Sequence, residues 1–122
     1  MKKVLVVEDV DFNRDLLVQL LEDKYQVIEA VDGQAGIELA KRERPELILM
    51  DLSLPVIDGW EVAKRLKANE ELRSIPIIAL TAHAMVGDQD KALAAGCDDY
   101  MAKPLDEDQL MAKIAKYLDR SK

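Results

Sequence analysis

Three stretches of the chain are apolar without interruption: Val4-Leu5-Val6-Val7, Leu47-Ile48-Leu49-Met50 and Ile77-Ile78-Ala79-Leu80. A short unbroken apolar run bounded by polar or turn residues predicts a strand buried on both faces. Two further runs, Tyr25–Ala30 and Asp99–Ala102, are more polar and predict strands nearer the sheet edges. Between them the apolar residues recur at helical spacing. Leu16, Leu17, Leu20 and Leu21 form one face of a helix predicted over Phe12–Asp23. Leu39 and Ala40 point inward from a helix over Gly36–Glu43, which must end before Pro45. Val62 and Leu66 lie one turn apart on a helix over Glu61–Ala68. A weakly apolar helix over Ala84–Ala95 carries Gly87 inside it and is closed by Gly96. Leu110, Met111, Ile114, Tyr117 and Leu118 form the stripe of a last helix, with Asp106 as its N-cap. Asp32-Gly33 predicts a turn, and Pro55 and Gly59 predict a tight loop after Asp51.

Five strands alternating with five helices predict an α/β fold with a parallel sheet and right-handed crossovers. The three apolar strands belong in the centre, which makes the second and fifth the edges. The expected strand order is 2-1-3-4-5, the flavodoxin-like (βα)5 doubly wound arrangement. Its switch point falls between the first and third strands, at the edge where ligands collect in such sheets.

Four strands end at that edge in an ionic or reactive group: Glu8-Asp9, Asp51, Thr81 and Lys103. Each has an ordinary explanation when taken alone. Glu8-Asp9 could be a solvated strand end that caps a helix. Asp51 could simply terminate its strand, Thr81 could satisfy itself locally, and Lys103 could be a surface lysine. Together they suggest more. Three crowded carboxylates raise one another's pKa unless a cation sits among them, and a hard divalent ion such as Mg²⁺ suits oxygen ligands. Beside such an ion Asp51 can act as a nucleophile that forms an aspartyl phosphate. Lys103 then offers a mobile point charge, and Thr81 a hydroxyl, to phosphate oxygens.

Composition narrows the field. The chain has 122 residues, 49% hydrophobic and 34% charged, which suits one globular domain. A formal net charge of −7 argues against direct nucleic-acid binding and against anionic membrane surfaces. No apolar stretch reaches the roughly 20 residues of a membrane span. The single cysteine, Cys97, allows no internal disulfide and fits a reducing cytoplasm. No repeat, linker or low-complexity tract is visible, so residues 1–122 are expected to form a single domain with no output domain.

The chain resembles, over its full length, the receiver domains of two-component response regulators. The residues that carry the resemblance are Val4-Leu5-Val6-Val7-Glu8-Asp9, Asp51 with Pro55 and Asp58-Gly59, Ala79-Leu80-Thr81-Ala82, Gly96 with Asp99-Tyr100, and Lys103-Pro104. The resemblance implies that Asp51 accepts a phosphoryl group from a phosphohistidine on a sensor histidine kinase or histidine phosphotransfer protein. It implies Mg²⁺ (or Mn²⁺) at Glu8, Asp9, Asp51 and the Ser53 backbone carbonyl. It implies that Thr81 and Lys103 engage the phosphoryl oxygens and that Tyr100 is the switch aromatic. The Lys103–Pro104 peptide is typically cis in this family. Many members have Asp where Glu8 stands. Ser53 and His83 occupy the two positions that influence phosphoryl lifetime in the family. Such a domain is not an enzyme in the usual sense, though it catalyses its own phosphorylation and slow autodephosphorylation.

The signal would then pass to another protein through the surface of the fourth helix, fifth strand and fifth helix. Gly87, Ala92, Ala94 and Ala95 would ease movement of that helix, or would simply pack closely on the sheet. Trp60, Phe12 and His83 are candidate contact residues, with packing between helix and sheet the preferred account of Trp60 and Phe12. Three other readings stay open. An FMN-binding flavodoxin would share the strand order, but Glu8-Asp9-Val10-Asp11 repels phosphate where that protein needs a phosphate cradle. A hydrolase of the aspartyl-phosphate kind would want an acid/base aspartate at position 53, where Ser53 stands. A degenerate receiver would bind partners without phosphorylation, yet every reactive position is filled.

Overall fold

The strands and helices alternate along the whole chain of this computed structural model. It describes residues 2–52, 54, 56–81, 88–103 and 105–118, without the side chains of 88, 89 and 92. The elements are β1 (Lys3–Val7), α1 (Asp11–Leu21), β2 (Gln26–Ala30), α2 (Gly33–Glu43), β3 (Leu47–Asp51), α3 (Gly59–Ala68), β4 (Ile77–Thr81), α4 (Asp88–Ala94), β5 (Asp99–Ala102) and α5 (Glu107–Leu118). All four strand pairings are parallel and the order is β2-β1-β3-β4-β5, as the apolar runs predict.

The unbroken apolar runs follow from two-sided burial. Side chains alternate across a strand, so each central strand must supply both faces of the sheet. Leu5, Val7, Ile48, Met50, Ile77 and Ala79 point to one face, against Ile37 and Ala40 of α2 and Val62, Ala63 and Leu66 of α3. Val4, Val6, Leu47, Leu49, Ile78 and Leu80 point to the other, against Leu17 and Leu21 of α1 and Leu110, Ile114 and Leu118 of α5. The sheet is thus the middle layer of three.

Three helices start on an aspartate that accepts a main-chain N–H from the first turn: Asp32 from Ala35 (2.8 Å), Asp58 from Glu61 (3.0 Å) and Asp106 from Gln109 (3.0 Å). Asp32-Gly33 is therefore a cap and the first helical residue, not the expected turn, and α2 begins three residues earlier than its apolar pattern suggests. An Asp-Gly pair serves either purpose, and only the following residues decide. Gly96 ends α4 with φ of 105°, a left-handed conformation that suits glycine.

Two expectations for α1 need correction. Phe12 does not pack between helix and sheet: it is 71% exposed. Leu16 is likewise exposed, so the buried stripe of α1 is Leu17 and Leu21 with Leu20 partly covered. Trp60, in contrast, does pack partly buried against the core. The expected start of the fourth helix at Ala84, and the expectations for His83 and Gly87, lie outside the described residues, as does the side chain of Ala92.

Candidate functional site

Among the described residues, the buried polar and charged side chains are Glu8 (0% exposed), Asp51 (4%) and Thr81 (4%). All three stand at the carboxyl edge of the sheet. Burying such groups is costly unless they are paired or serve a ligand, so their concentration at one edge marks a site.

The strand ladders set their positions. Asp51 is the last residue of β3, in register with Leu80, and Thr81 is the last residue of β4, in register with Ala102. The Leu52 N–H donates to the Leu80 carbonyl (3.0 Å) and the Lys103 N–H to the Thr81 carbonyl (2.7 Å), which carries the pairing one residue past each strand. On the other side of Asp51, the Glu8 N–H donates to the Ala30 carbonyl at 3.0 Å. Gly59 lets α3 start against the β3 end: a Cβ there would stand 2.6 Å from the Asp51 carbonyl oxygen and 2.7 Å from the Leu52 Cα.

One carboxylate oxygen each from Glu8, Asp9 and Asp51 lies within 4.8 Å of the others. Lys103 closes the cluster. Its Nζ lies 2.8 Å from Glu8 Oε1 and 3.4 Å from Asp51 Oδ2. Burial pushes the Glu8 carboxyl pKa upward, and the neighbouring Asp51 adds to the rise, against the pull of Lys103 and the Val10 N–H. Burial pulls on the Lys103 ammonium in the opposite sense, but Glu8 and Asp51 together outweigh it and hold its pKa raised. Both directions follow from two carboxylates sharing one ammonium. A set of hard oxygen donors carrying excess negative charge fits Mg²⁺, which takes a few carboxylates and keeps the rest of its shell as water.

The capping account of Glu8-Asp9 does not hold. The N-cap of α1 is Val10, which gives no side-chain cap, and Glu8 Oε2 accepts the Val10 N–H itself at 3.1 Å. Glu8 thus faces inward to Lys103, while Asp9 is exposed at the rim. Tyr100 sits on β5, one residue before the register partner of Leu80, and packs partly buried against the core face shared with α2 and α3. The expected Ser53 carbonyl ligand and the expected cis peptide at Lys103–Pro104 lie outside the described residues at Ser53 and Pro104.

Arg14 escapes a reading of the motifs alone. Its Nη1 donates to the Glu8 carbonyl at 3.0 Å, Nη2 to Asp11 at 2.5 Å and Nε to Glu29 at 3.3 Å. The Asp11-x-x-Arg14 spacing was visible as a helix pair, but the bonds to Glu8 and Glu29 depend on β1 lying beside β2. A groove of about 780 Å³ also opens beside the site, lined by Leu16, Leu17, Leu20 and Leu105 together with Glu8 and Lys103. In the loop after β3, Val56 is 81% exposed with φ of 69°, a conformation that is an outlier for a β-branched residue.

Residues 4–115 match the response regulator receiver domain family. The chain is 42% identical over 118 residues to the polar-differentiation response regulator DivK of Brucella anthropi, covering 96% of each chain. Among solved structures it superposes on the receiver domain of the sensor histidine kinase PA1611 of Pseudomonas aeruginosa with a TM-score of 0.90, at 37% identity, covering 97% of this chain and 98% of that one. That structure carries a magnesium ion coordinated in the active-site cleft. It also superposes, with a TM-score of 0.89 and 35% identity over 95% of this chain and 88% of the other, on the co-crystal structure of the Saccharomyces cerevisiae phosphotransfer protein Ypd1 with the Ssk1 receiver domain. The acidic pocket at the β1, β3 and β5 ends and the agreement along nearly the whole chain lead to one assignment: this chain belongs to the response regulator receiver domain family of two-component signalling.

Proposed function

We propose that Asp51 is the phosphoacceptor of this receiver and that a histidine-bound phosphoryl group is its source. The observation that carries this reading is the packing of three carboxylates within 4.8 Å, with the Lys103 ammonium 3.4 Å from Asp51. An Asp51 carboxylate oxygen attacks the phosphorus in line as the P–N bond of the phosphohistidine breaks, and the imidazole leaves with the electron pair. Glu8, Asp9 and Asp51 hold Mg²⁺, with Mn²⁺ as a substitute and the Ser53 carbonyl as a further ligand on the family pattern. When bound, the cation neutralises charge on the transferring oxygens. Lys103 moves its ammonium from Glu8 toward a phosphoryl oxygen, and the Thr81 hydroxyl donates to another. Hydrolysis of the acyl phosphate returns the domain to its starting state.

The new dianion recruits Thr81, Tyr100 follows, and the surface of α4, β5 and α5 changes shape. Moving a two-state equilibrium from mostly off to mostly on takes roughly 5 kcal/mol, the order of two or three new charge-assisted hydrogen bonds. The donor docks over Phe12, Leu16 and Val56, exposed apolar residues of α1 and of the loop that follows β3. The Ypd1–Ssk1 co-crystal supports a phosphotransfer protein as one kind of donor. The similarity to the response regulator DivK over 96% of that chain supports a role in passing the signal to a downstream protein. We place the reaction in the cytoplasm, where Cys97, buried with its thiol pushed up to about 11 by burial, would stay inert.

Incubation with acetyl phosphate and Mg²⁺ should add the mass of one phosphoryl group to the intact chain. Omission of the metal with EDTA, or Asp51→Asn, should abolish the gain. Undiminished labelling of the variant would overturn the assignment.

A further inference from the structure

We propose that Arg14 is a positioning residue for the metal cradle. It acts through the Glu8 carbonyl to set the direction in which Glu8 and Asp9 present their carboxylates. The inference rests on the reading of that acidic cluster as a Mg²⁺ site.

The segment Glu8-Asp9-Val10 turns the chain from β1 into α1, and its geometry needs an anchor on each side of Asp9. Asp9 is exposed, and among the described residues its carboxylate takes no hydrogen bond. The main chain on either side therefore sets where that carboxylate stands. Ahead of it, the Glu8 N–H is held by the Ala30 carbonyl at 3.0 Å. Past it, the Val10 N–H is held by Glu8 Oε2 at 3.1 Å. The Val10 carbonyl accepts the Arg14 N–H at 2.9 Å, and the Glu8 carbonyl lies one residue beyond the end of β1. Arg14 Nη1 takes it at 3.0 Å.

Arg14 can do this because its guanidinium is itself fixed. Nε donates to Glu29 on β2 and Nη2 to Asp11 in the first turn of α1, and the side chain is only 12% exposed. A planar fork with several fixed donors spans three acceptors, one just past β1, one on β2 and one on α1, and an ammonium on a flexible stem does not. Asp11 and Glu29 also neutralise the guanidinium where it stands, so the brace adds no net positive charge to compete with the cation. α1 lacks a side-chain cap, so the turn depends on these bonds. Groups that orient metal ligands from behind typically change affinity by about 10–100-fold when removed.

The test is calorimetric Mg²⁺ titration of the unphosphorylated chain, paired with thermal melting. Arg14→Ala should weaken Mg²⁺ binding by about tenfold or more. Arg14→Lys, which keeps the charge and the helix propensity, should also lose several-fold. Glu29→Gln, which leaves the Glu8 carbonyl bond in place, should stay within about twofold of wild type. Ile114→Val, a core substitution on α5, should lower the melting temperature and leave Mg²⁺ affinity unchanged. Wild-type affinity in Arg14→Lys, or in a folded Arg14→Ala, overturns the proposal and leaves Arg14 a stabilising contact only. Absence of Mg²⁺ binding to the wild-type chain would instead sink the metal reading beneath it.

Discussion

The Lys103 ammonium lies 2.8 Å from Oε1 of Glu8, a carboxylate with no exposure to solvent. Ninety-five residues separate the two in sequence, and the sheet order β1-β3-β4-β5 brings them to one edge. Lys103 is the counter-ion that makes burial of Glu8 tolerable. Lys103→Met should therefore destabilise the chain by about 1–3 kcal/mol at neutral pH in EDTA, since an unpartnered buried carboxylate carries its full desolvation cost. Saturating Mg²⁺ should recover part of the loss, because the cation replaces the missing ammonium. Urea unfolding with and without Mg²⁺ measures both effects. An equal loss in the two conditions would contradict the shared-counter-ion account.

The raised pKa of Glu8 fixes the sign of a pH effect. Its causes are burial first and the neighbouring Asp51 after it. The folded chain holds the Glu8 proton more tightly than the unfolded chain does. The stability this contributes is present below the ordinary value of 4.5 and is lost as pH rises through the folded value. Mg²⁺ requires the ionised carboxylate and so competes with that proton. Mg²⁺ affinity should rise with pH in the range just above 4.5, with proton release on binding, and then level off. Titrations in two buffers of different ionisation enthalpy detect the released proton. A flat affinity through that range would argue that Glu8 does not face the cation.

Phe12 separates docking from chemistry. Because it is exposed, Phe12→Ala should change stability by no more than about 0.5 kcal/mol. Labelling by acetyl phosphate should continue at the wild-type rate. Transfer from a phosphorylated phosphotransfer protein should slow by about tenfold, the loss expected for one apolar anchor of an interface. Equal rates from the protein donor in both forms would remove this helix face from the docking surface.

Gly59 tests how closely the site depends on the start of α3. A methyl group would meet the Asp51 carbonyl oxygen at 2.6 Å. Gly59→Ala should cost about 1–3 kcal/mol, as overpacking does, and should lower the rate of phosphorylation because the backbone that must yield is that of Asp51 itself. Chemical denaturation and labelling kinetics of the same variant check the two effects. A stability loss with unchanged kinetics would show that the strain relaxes into α3 instead.

The apolar runs carried the fold because central strands serve two cores at once. Val4–Val7, Leu47–Met50 and Ile77–Leu80 had no polar face to reveal, and their lack of alternation was itself the signal. Four chemical groups at strand ends then located the site, since strand direction puts every end at one edge. What periodicity could not resolve was α1. Phe12 and Leu16 lie four residues apart and so do Leu17 and Leu21, so both stripes have helical spacing and only one is buried. The closer approach of Lys103 to Glu8 (2.8 Å) than to Asp51 (3.4 Å) was equally hidden, because it depends on how the strand ends meet in space. The Arg14 brace required knowing that β1 lies beside β2 in register, with Val6 opposite Glu29.

The most direct measurement locates the phosphoryl group. The chain is phosphorylated from a histidine-phosphorylated donor with Mg²⁺ present, reduced with borohydride to convert an acyl phosphate to its alcohol, digested and sequenced by mass spectrometry. The account predicts reduction at Asp51 and nowhere else. Reduction at Asp9 or Glu8 with Asp51 intact, or a phosphoryl group retained on a hydroxyl or imidazole side chain, would contradict it.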